Sequence, residues 1–167
     1  SIPLRLVGSE MCIRDRIMKN FLILFSLFIL ISCVQDSPNV QQIGNMQFFI
    51  DNKKNVEVVE IEPGLQYSVI NQGDASGPNP ELNQTITAHF HGTLTNGEVF
   101  WSSLDTEPLE IELSKLIIGC QKAISLMKKG DKWMVYIDPT MAYGEEGRPG
   151  IPSNSILIFE IELLEII

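Results

Sequence analysis

From Gln84 onward, apolar and polar side chains alternate in short runs separated by turn residues, the pattern of strands half-buried on one face. The clearest run is Gln84 to Leu94: Ile86, Ala88, Phe90 and Leu94 fall on one face, and Thr85, Thr87, His89, His91 and Thr93 on the other. Thr95-Asn96-Gly97 supplies a hairpin turn of the Asn-Gly kind, and Val99 to Ser102 returns along the first run. Leu109, Ile111 and Leu113 alternate with Glu110 and Glu112 in a further strand. Trp133, Val135 and Ile137 line one face of the next, and Leu157, Phe159, Ile161 and Leu163 one face of the last. Upstream, Leu65 to Ile70 is the first predicted strand, and the Gly-, Pro- and Asn-rich stretch Asn71 to Asn83 is a loop. The period changes once. Cys120, Ala123, Ile124 and Met127 recur at three- and four-residue spacing, one apolar face of a helix stopped by Gly130. These elements predict an α+β fold, a five- to six-stranded antiparallel half-barrel sheet wrapped around one short helix.

Between the last two strands runs MAYGEEGRPGIPSNS, a loop punctuated by Gly144, Gly147, Pro149, Gly150 and Pro152. Glycine supplies positive φ and proline fixes φ, so the loop is expected to be shaped, with Tyr143 and Phe159 facing a common space.

The N-terminal third reads differently. Residues 6–15, LVGSEMCIRD, are what one frame of a common transposon-based sequencing adapter encodes, so residues 1–17 are expected to be adapter-derived and Met18 the natural start. Residues 18–32 then read as a signal peptide: Lys19 is its positive end, and Phe21 to Ile31 is an apolar run too short for a bilayer span of about 20 residues. The run closes on Leu30-Ile31-Ser32-Cys33, which resembles the bacterial lipobox. Lipidation of Cys33 is therefore expected, with Val34 favouring an outer-membrane over an inner-membrane address. Residues 33–62 are read as lipidated cysteine, flexible tether (Val34 to about Asn45) and lead-in, with a short helical turn in Met46 to Asn55 packing Phe48 and Phe49 onto the domain of residues 63–167.

Composition narrows the partners. A net charge of −9 argues against a nucleic-acid backbone. Three cysteines, at 12, 33 and 120, make neither a disulfide framework nor a zinc site. His89 and His91, the two histidines, have no carboxylate or cysteine near them in sequence and read as surface groups; no metal or cofactor is expected. Ser102 and Ser103 lack a base at recognisable spacing, which leaves a nucleophilic triad without support. Cys120, on the apolar helix face, reads as a buried structural thiol. What remains is a set of aromatic and aliphatic side chains beside a shaped loop.

Residues 64–167 resemble FKBP-type peptidyl-prolyl cis–trans isomerases, the immunophilin family that binds tacrolimus and rapamycin. The resemblance is carried by GLQY at 64–67, AHFHGTLTNGEVF at 88–100, PLEIEL at 108–113, LIIGCQKAISLMKKGDK at 116–132 and MAYGEEGRPGIPSNSILIFEIELL at 141–164. It implies an FKBP-like fold and a pocket that grips the proline of an Xaa-Pro bond. Phe100, Ile117, Tyr143 and Phe159 are implied as catalytic, the backbone N–H of Ile117 and the hydroxyl of Tyr143 as donors to the substrate. Phe90, Trp101, Leu109, Leu116, Cys120, Arg148 and Ile151 are implied as substrate-binding. Implied partners are proline-containing polypeptides of the envelope and a macrolide of the tacrolimus or rapamycin type; the membrane is reached through Cys33, and a monomer is expected.

Three positions depart from the family pattern: Trp101 stands where an Asp is usual, Cys120 where a Trp floors the pocket, and Phe90 where a Tyr is common. Three functions stay open on this reading: an active isomerase, whose turnover Trp101 and Cys120 could reduce; a binding or chaperone module with little or no turnover; and a structural lipoprotein with no use for the pocket.

Overall fold

The computed structural model describes residues 40–167. The adapter, the signal peptide, Cys33 and the first part of the tether therefore lie outside the described residues. Helix α1 spans Val40–Asn52 and helix α2 Ile118–Ile124. The strands are β1 (Val58–Glu62), β2 (Leu65–Asn71), β3 (Thr85–Leu94), β4 (Val99–Ser102), β5 (Leu109–Glu112), β6 (Lys132–Ile137) and β7 (Leu157–Ile166). They form one antiparallel sheet in the order β1-β2-β6-β7-β3-β4, and β5 shares an edge of β3 with β4. Among the described residues this is one strand more than the sequence pattern implies.

The long strands follow their alternation. β3 buries Ile86, Ala88, Phe90 and Leu94 and turns its threonines and histidines outward; β6 buries Trp133, Val135 and Ile137. β7 buries Leu157, Phe159, Ile161 and Leu163, and its pairing carries on to Ile166. These faces meet the buried side of α2, Cys120, Ala123 and Ile124, in a single core. The helix sits close to β6 because Gly119 has no side chain: a Cβ there would meet Ile137 Cγ2 at 2.4 Å.

Four elements differ from expectation. β1 is an edge strand in which only Val58 is buried; Val59 and Ile61 alternate with Glu60 and Glu62, but the run is four residues long and Val59 stays exposed, so the alternation marks no buried face. Helix α1 starts at Val40, within the stretch read as tether. Its polar residues are held by tertiary bonds: Asn45 Nδ2 donates to Asn154 O at 3.0 Å and Asn52 Nδ2 to Gln66 Oε1 at 3.0 Å, while Gln66 Nε2 donates back to Phe49 O at 3.0 Å. Helix α2 ends three residues before Met127, whose N–H bonds Ile124 O in a tight turn that still buries the side chain. Strand β5 stops at Glu112, and Leu113 begins a 3-10 turn, Leu113–Lys115, with its side chain in the core.

Candidate functional site

The loop from Ala142 to Ile156 is shaped by its own hydrogen bonds. Gly147 N bonds Tyr143 O, Arg148 and Ile151 exchange both of their backbone bonds, at 2.9 and 2.7 Å, and Asn154 N bonds Gly144 O at 2.8 Å. Gly144, Gly147 and Gly150 all adopt positive φ, as their placement predicted. A side chain at Gly147 would also run into Ile151 O at 2.5 Å, so the hairpin within the loop needs glycine on two counts.

Beside this loop opens a cavity of about 620 Å³. β3 brings Phe90 to it, β4 Phe100 and Trp101, β5 Leu109, β7 Phe159, and the turn into α2 brings Leu116, Ile117 and Cys120; the loop adds Tyr143, Arg148 and Ile151. Thus every pocket residue named from the sequence lines one cavity. Ile111, Lys115 and Pro149 also line it and were not anticipated: Ile111 is the second apolar position of β5, and the other two adjoin motif residues.

The aromatic wall is an edge-to-face cluster. Phe100 and Phe159 meet with ring centroids 5.4 Å apart and planes at 89°, Phe90 and Phe159 at 6.4 Å and 82°. Gly92 makes the cluster possible, since a Cβ there would lie 2.5 Å from Phe100 Cζ and 2.9 Å from Phe159 Cε1. Trp101 stands against Phe90 at 6.0 Å, 41% exposed, as part of the wall rather than a plug. The space that remains is of the size that holds small ligands, roughly 300–1,000 Å³.

Polar groups are few. Arg148 Nη1 donates to the Tyr143 hydroxyl at 2.7 Å, with the guanidinium carbon 4.9 Å from the ring centroid, so the hydroxyl keeps its own proton to donate. The N–H of Ile117 bonds no acceptor among the described residues. Cys120 is 2% exposed, and burial pushes its thiol up to about 12, which makes it an inert floor rather than a nucleophile.

The sheet pairs the histidines with the two serines, contrary to the sequence spacing. His91 Nδ1 lies 3.0 Å from Ser102 Oγ, and His89 Nδ1 3.1 Å from Ser103 Oγ, because β3 and β4 run side by side. No triad results. Glu160 and Glu162, opposite the histidines on β7, bond Lys132 at 2.8 and 3.4 Å instead, and Ser103 Oγ accepts the Phe90 N–H at 3.0 Å. Among the described residues no group of three or more His, Cys, Asp or Glu side chains is placed to hold a metal.

Comparison with known proteins places this geometry. Residues 77–164, just over half of the chain, match the family described as FKBP-type peptidyl-prolyl cis-trans isomerase. The chain is similar to the peptidyl-prolyl cis-trans isomerase Mip of Coxiella burnetii, at 40% identity over 121 residues, 71% of this chain and 52% of that protein. It is likewise 40% identical over 124 residues to the FKBP-type 22 kDa peptidyl-prolyl cis-trans isomerase of Escherichia coli, 73% of this chain and 59% of the other. The chain thus spans about half the length of the curated relatives it matches. Among solved structures it resembles a peptidyl-prolyl cis-trans isomerase of Pseudomonas syringae, with a TM-score of 0.68 at 30% identity over 74% of this chain and 91% of that one. FkpA of Escherichia coli superposes with a TM-score of 0.70 at 28% identity, covering 95% of this chain and 73% of that one.

Proposed function

The chain belongs to the FKBP-type peptidyl-prolyl cis–trans isomerase family, and from that premise we propose that it isomerises Xaa-Pro bonds of exported polypeptides at the bacterial cell envelope, anchored through a lipid on Cys33. The observation that carries the activity is the aromatic cavity with two unspent donors at its wall, Ile117 N–H and Tyr143 O–H.

Resonance makes the Xaa-Pro amide planar and sets a barrier of roughly 18–20 kcal/mol, so the uncatalysed bond turns over in tens to hundreds of seconds. The twisted transition state has lost that resonance and is less polar than the planar amide. A dry pocket therefore binds it better than the ground state, and each 1.4 kcal/mol or so of that difference is about tenfold in rate. Phe90, Phe100 and Phe159 would hold the proline ring, and Ile117 N–H and Tyr143 O–H would fix the carbonyl oxygens on either side of it. The reaction asks for no proton transfer and no covalent intermediate.

A second reading, a binding module with little turnover, is favoured by Trp101 and Cys120, since both depart from the family pattern on one wall of the pocket. A proline-peptide isomerisation assay on the full chain separates the two. Turnover that falls at least tenfold in Phe159→Asp supports the isomerase, and a rate gain in Trp101→Asp identifies the tryptophan as what limits it. Wild type at the uncatalysed rate, with unfolded chains still bound, supports the binding module. The anchor rests on the apolar run Phe21 to Ile31 ending at Cys33, and on the expected signal peptide before it. Incorporation of labelled palmitate that Cys33→Ala abolishes is its test; label retained in Cys33→Ala rules the anchor out.

A further inference from the structure

We propose that the pocket, read as a proline site, selects polypeptides with an acidic residue beside the proline, through Lys115 and Arg148. The chain carries 21 acidic and 12 basic residues, yet no Asp or Glu lines the cavity while both of these cations do. Their bonding is also exceptional. Among the described residues, Lys53, Lys54, Lys122, Lys129 and Lys132 are each paired with a carboxylate. Lys128 donates its ammonium to Gly77 O. Lys115, exposed beside Leu116, bonds nothing, and Arg148 gives one N–H to the Tyr143 hydroxyl and no other to a protein group. Among the described residues, the two basic side chains left without an anion or a carbonyl are therefore the two at the pocket.

That placement has an electrostatic consequence. A cleft with low-dielectric walls and charge of one sign focuses its field, so two cations on an apolar wall attract an anion more strongly than the same cations on an open surface. Charges beyond about 8 Å are largely screened at physiological salt, so the acid on the far faces weighs little, and Glu112, which accepts a bond from Ser114 Oγ beside Lys115, does not line the cavity. Glu145 and Glu146, on the same loop as Arg148, are exposed and do not line the cavity. Arg148 keeps N–H groups free for a carboxylate, and an anion bound there sits next to the Tyr143 hydroxyl. Lys115 is two residues before Ile117, whose N–H is the unspent backbone donor. The cations come from separate segments, so an acid on either side of the proline can be met.

The inference rests on the isomerase family's use of this pocket, and its test is chosen to be independent of turnover. Fluorescence anisotropy with the full chain measures the affinity of labelled peptides that differ only in Glu, Gln or Lys next to one proline, before it in one series and after it in the other. Isomerisation of a Leu-Pro peptide is read in parallel. The expected order is Glu, Gln, Lys, with about tenfold between Glu and Lys in at least one series at low salt, shrinking towards parity at 0.5 M salt. Lys115→Glu and Arg148→Glu should each narrow that ratio and together reverse it, and Lys115→Gln should narrow it without adding an acid. Equal affinity for Glu and Lys peptides, no measurable binding of the Glu peptides, or a Glu preference that survives both charge reversals overturns the proposal. Turnover of the Leu-Pro peptide with equal Glu and Lys affinities would sink the selectivity alone; a Glu preference with no turnover would sink only the isomerase.

Discussion

At Gly92 the main chain of β3 runs directly beneath two aromatic rings, and any side chain there displaces them. Gly92→Ala puts a methyl within 2.5 Å of Phe100 and 2.9 Å of Phe159, so overpacking should cost about 1–3 kcal/mol in thermal or urea unfolding. Because both rings wall the cavity, proline-peptide turnover should fall at least tenfold in the same variant. Cys120 makes a different prediction. Its thiol is raised from 9.0 to about 12 by burial, so the folded protein holds that proton when the unfolded chain has already released it. Stability tied to this group is complete below pH 9 and is lost as pH rises from about 9 towards 12. Melting curves at pH 8 and pH 10.5 should therefore separate more for wild type than for Cys120→Val. Site-resolved mass spectrometry should find Cys120 unalkylated at pH 8 until the protein is unfolded. Most of the pocket was legible at this scale, since aromatic residues at strand and loop positions of a known pattern declare themselves. Gly92 was not, because an isolated glycine in a strand says only that something approaches closely.

The strands buried on one face could be read almost residue for residue, because burial on alternate sides imposes the two-residue period that β3, β6 and β7 show. Elements held by their neighbours could not. β1 lies at the sheet edge with a single buried residue, and α1 was legible only in the turn that packs Phe48 on Tyr136 and buries Phe49; its earlier turns are held by side-chain amides that bond across 109 and 113 residues of sequence. The pairing of both serines with both histidines was hidden for the same reason: it exists only across the β3–β4 register. A loop junction shows what such bonds carry. Asp131, 5% exposed, accepts the N–H of Gly73 and of Lys128, each at 2.7 Å, and so ties the loop after β2 to the turn before β6. Asp131→Ala leaves two donors without partners and should cost roughly 1–3 kcal/mol, read as a lower urea midpoint with an unchanged slope.

For the whole molecule, the domain is longer than its sequence motifs suggest. The family match begins at residue 77 and the quoted motifs at Gly64, but the packed structure reaches back to Val40. The reason lies in Asn45, which is buried under the pocket loop and holds the carbonyl of Asn154, itself at a φ of 55°. Asn45→Ala leaves the apolar wall untouched, so its expected effect is on the loop: faster amide exchange at Gly147, Ile151 and Asn154, and a weaker grip on peptides with turnover per bound peptide little changed. Hydrogen exchange by mass spectrometry, alongside a KM and kcat comparison, checks both. The same bond works in the other direction. An occupant that stiffens the loop also stiffens the carbonyl to which the helix is fastened, so filling the cavity should slow amide exchange in α1, a helix that lines none of it. The segment joined to the leading part of the chain would then report whether a client is seated, as a tethered float reports a catch.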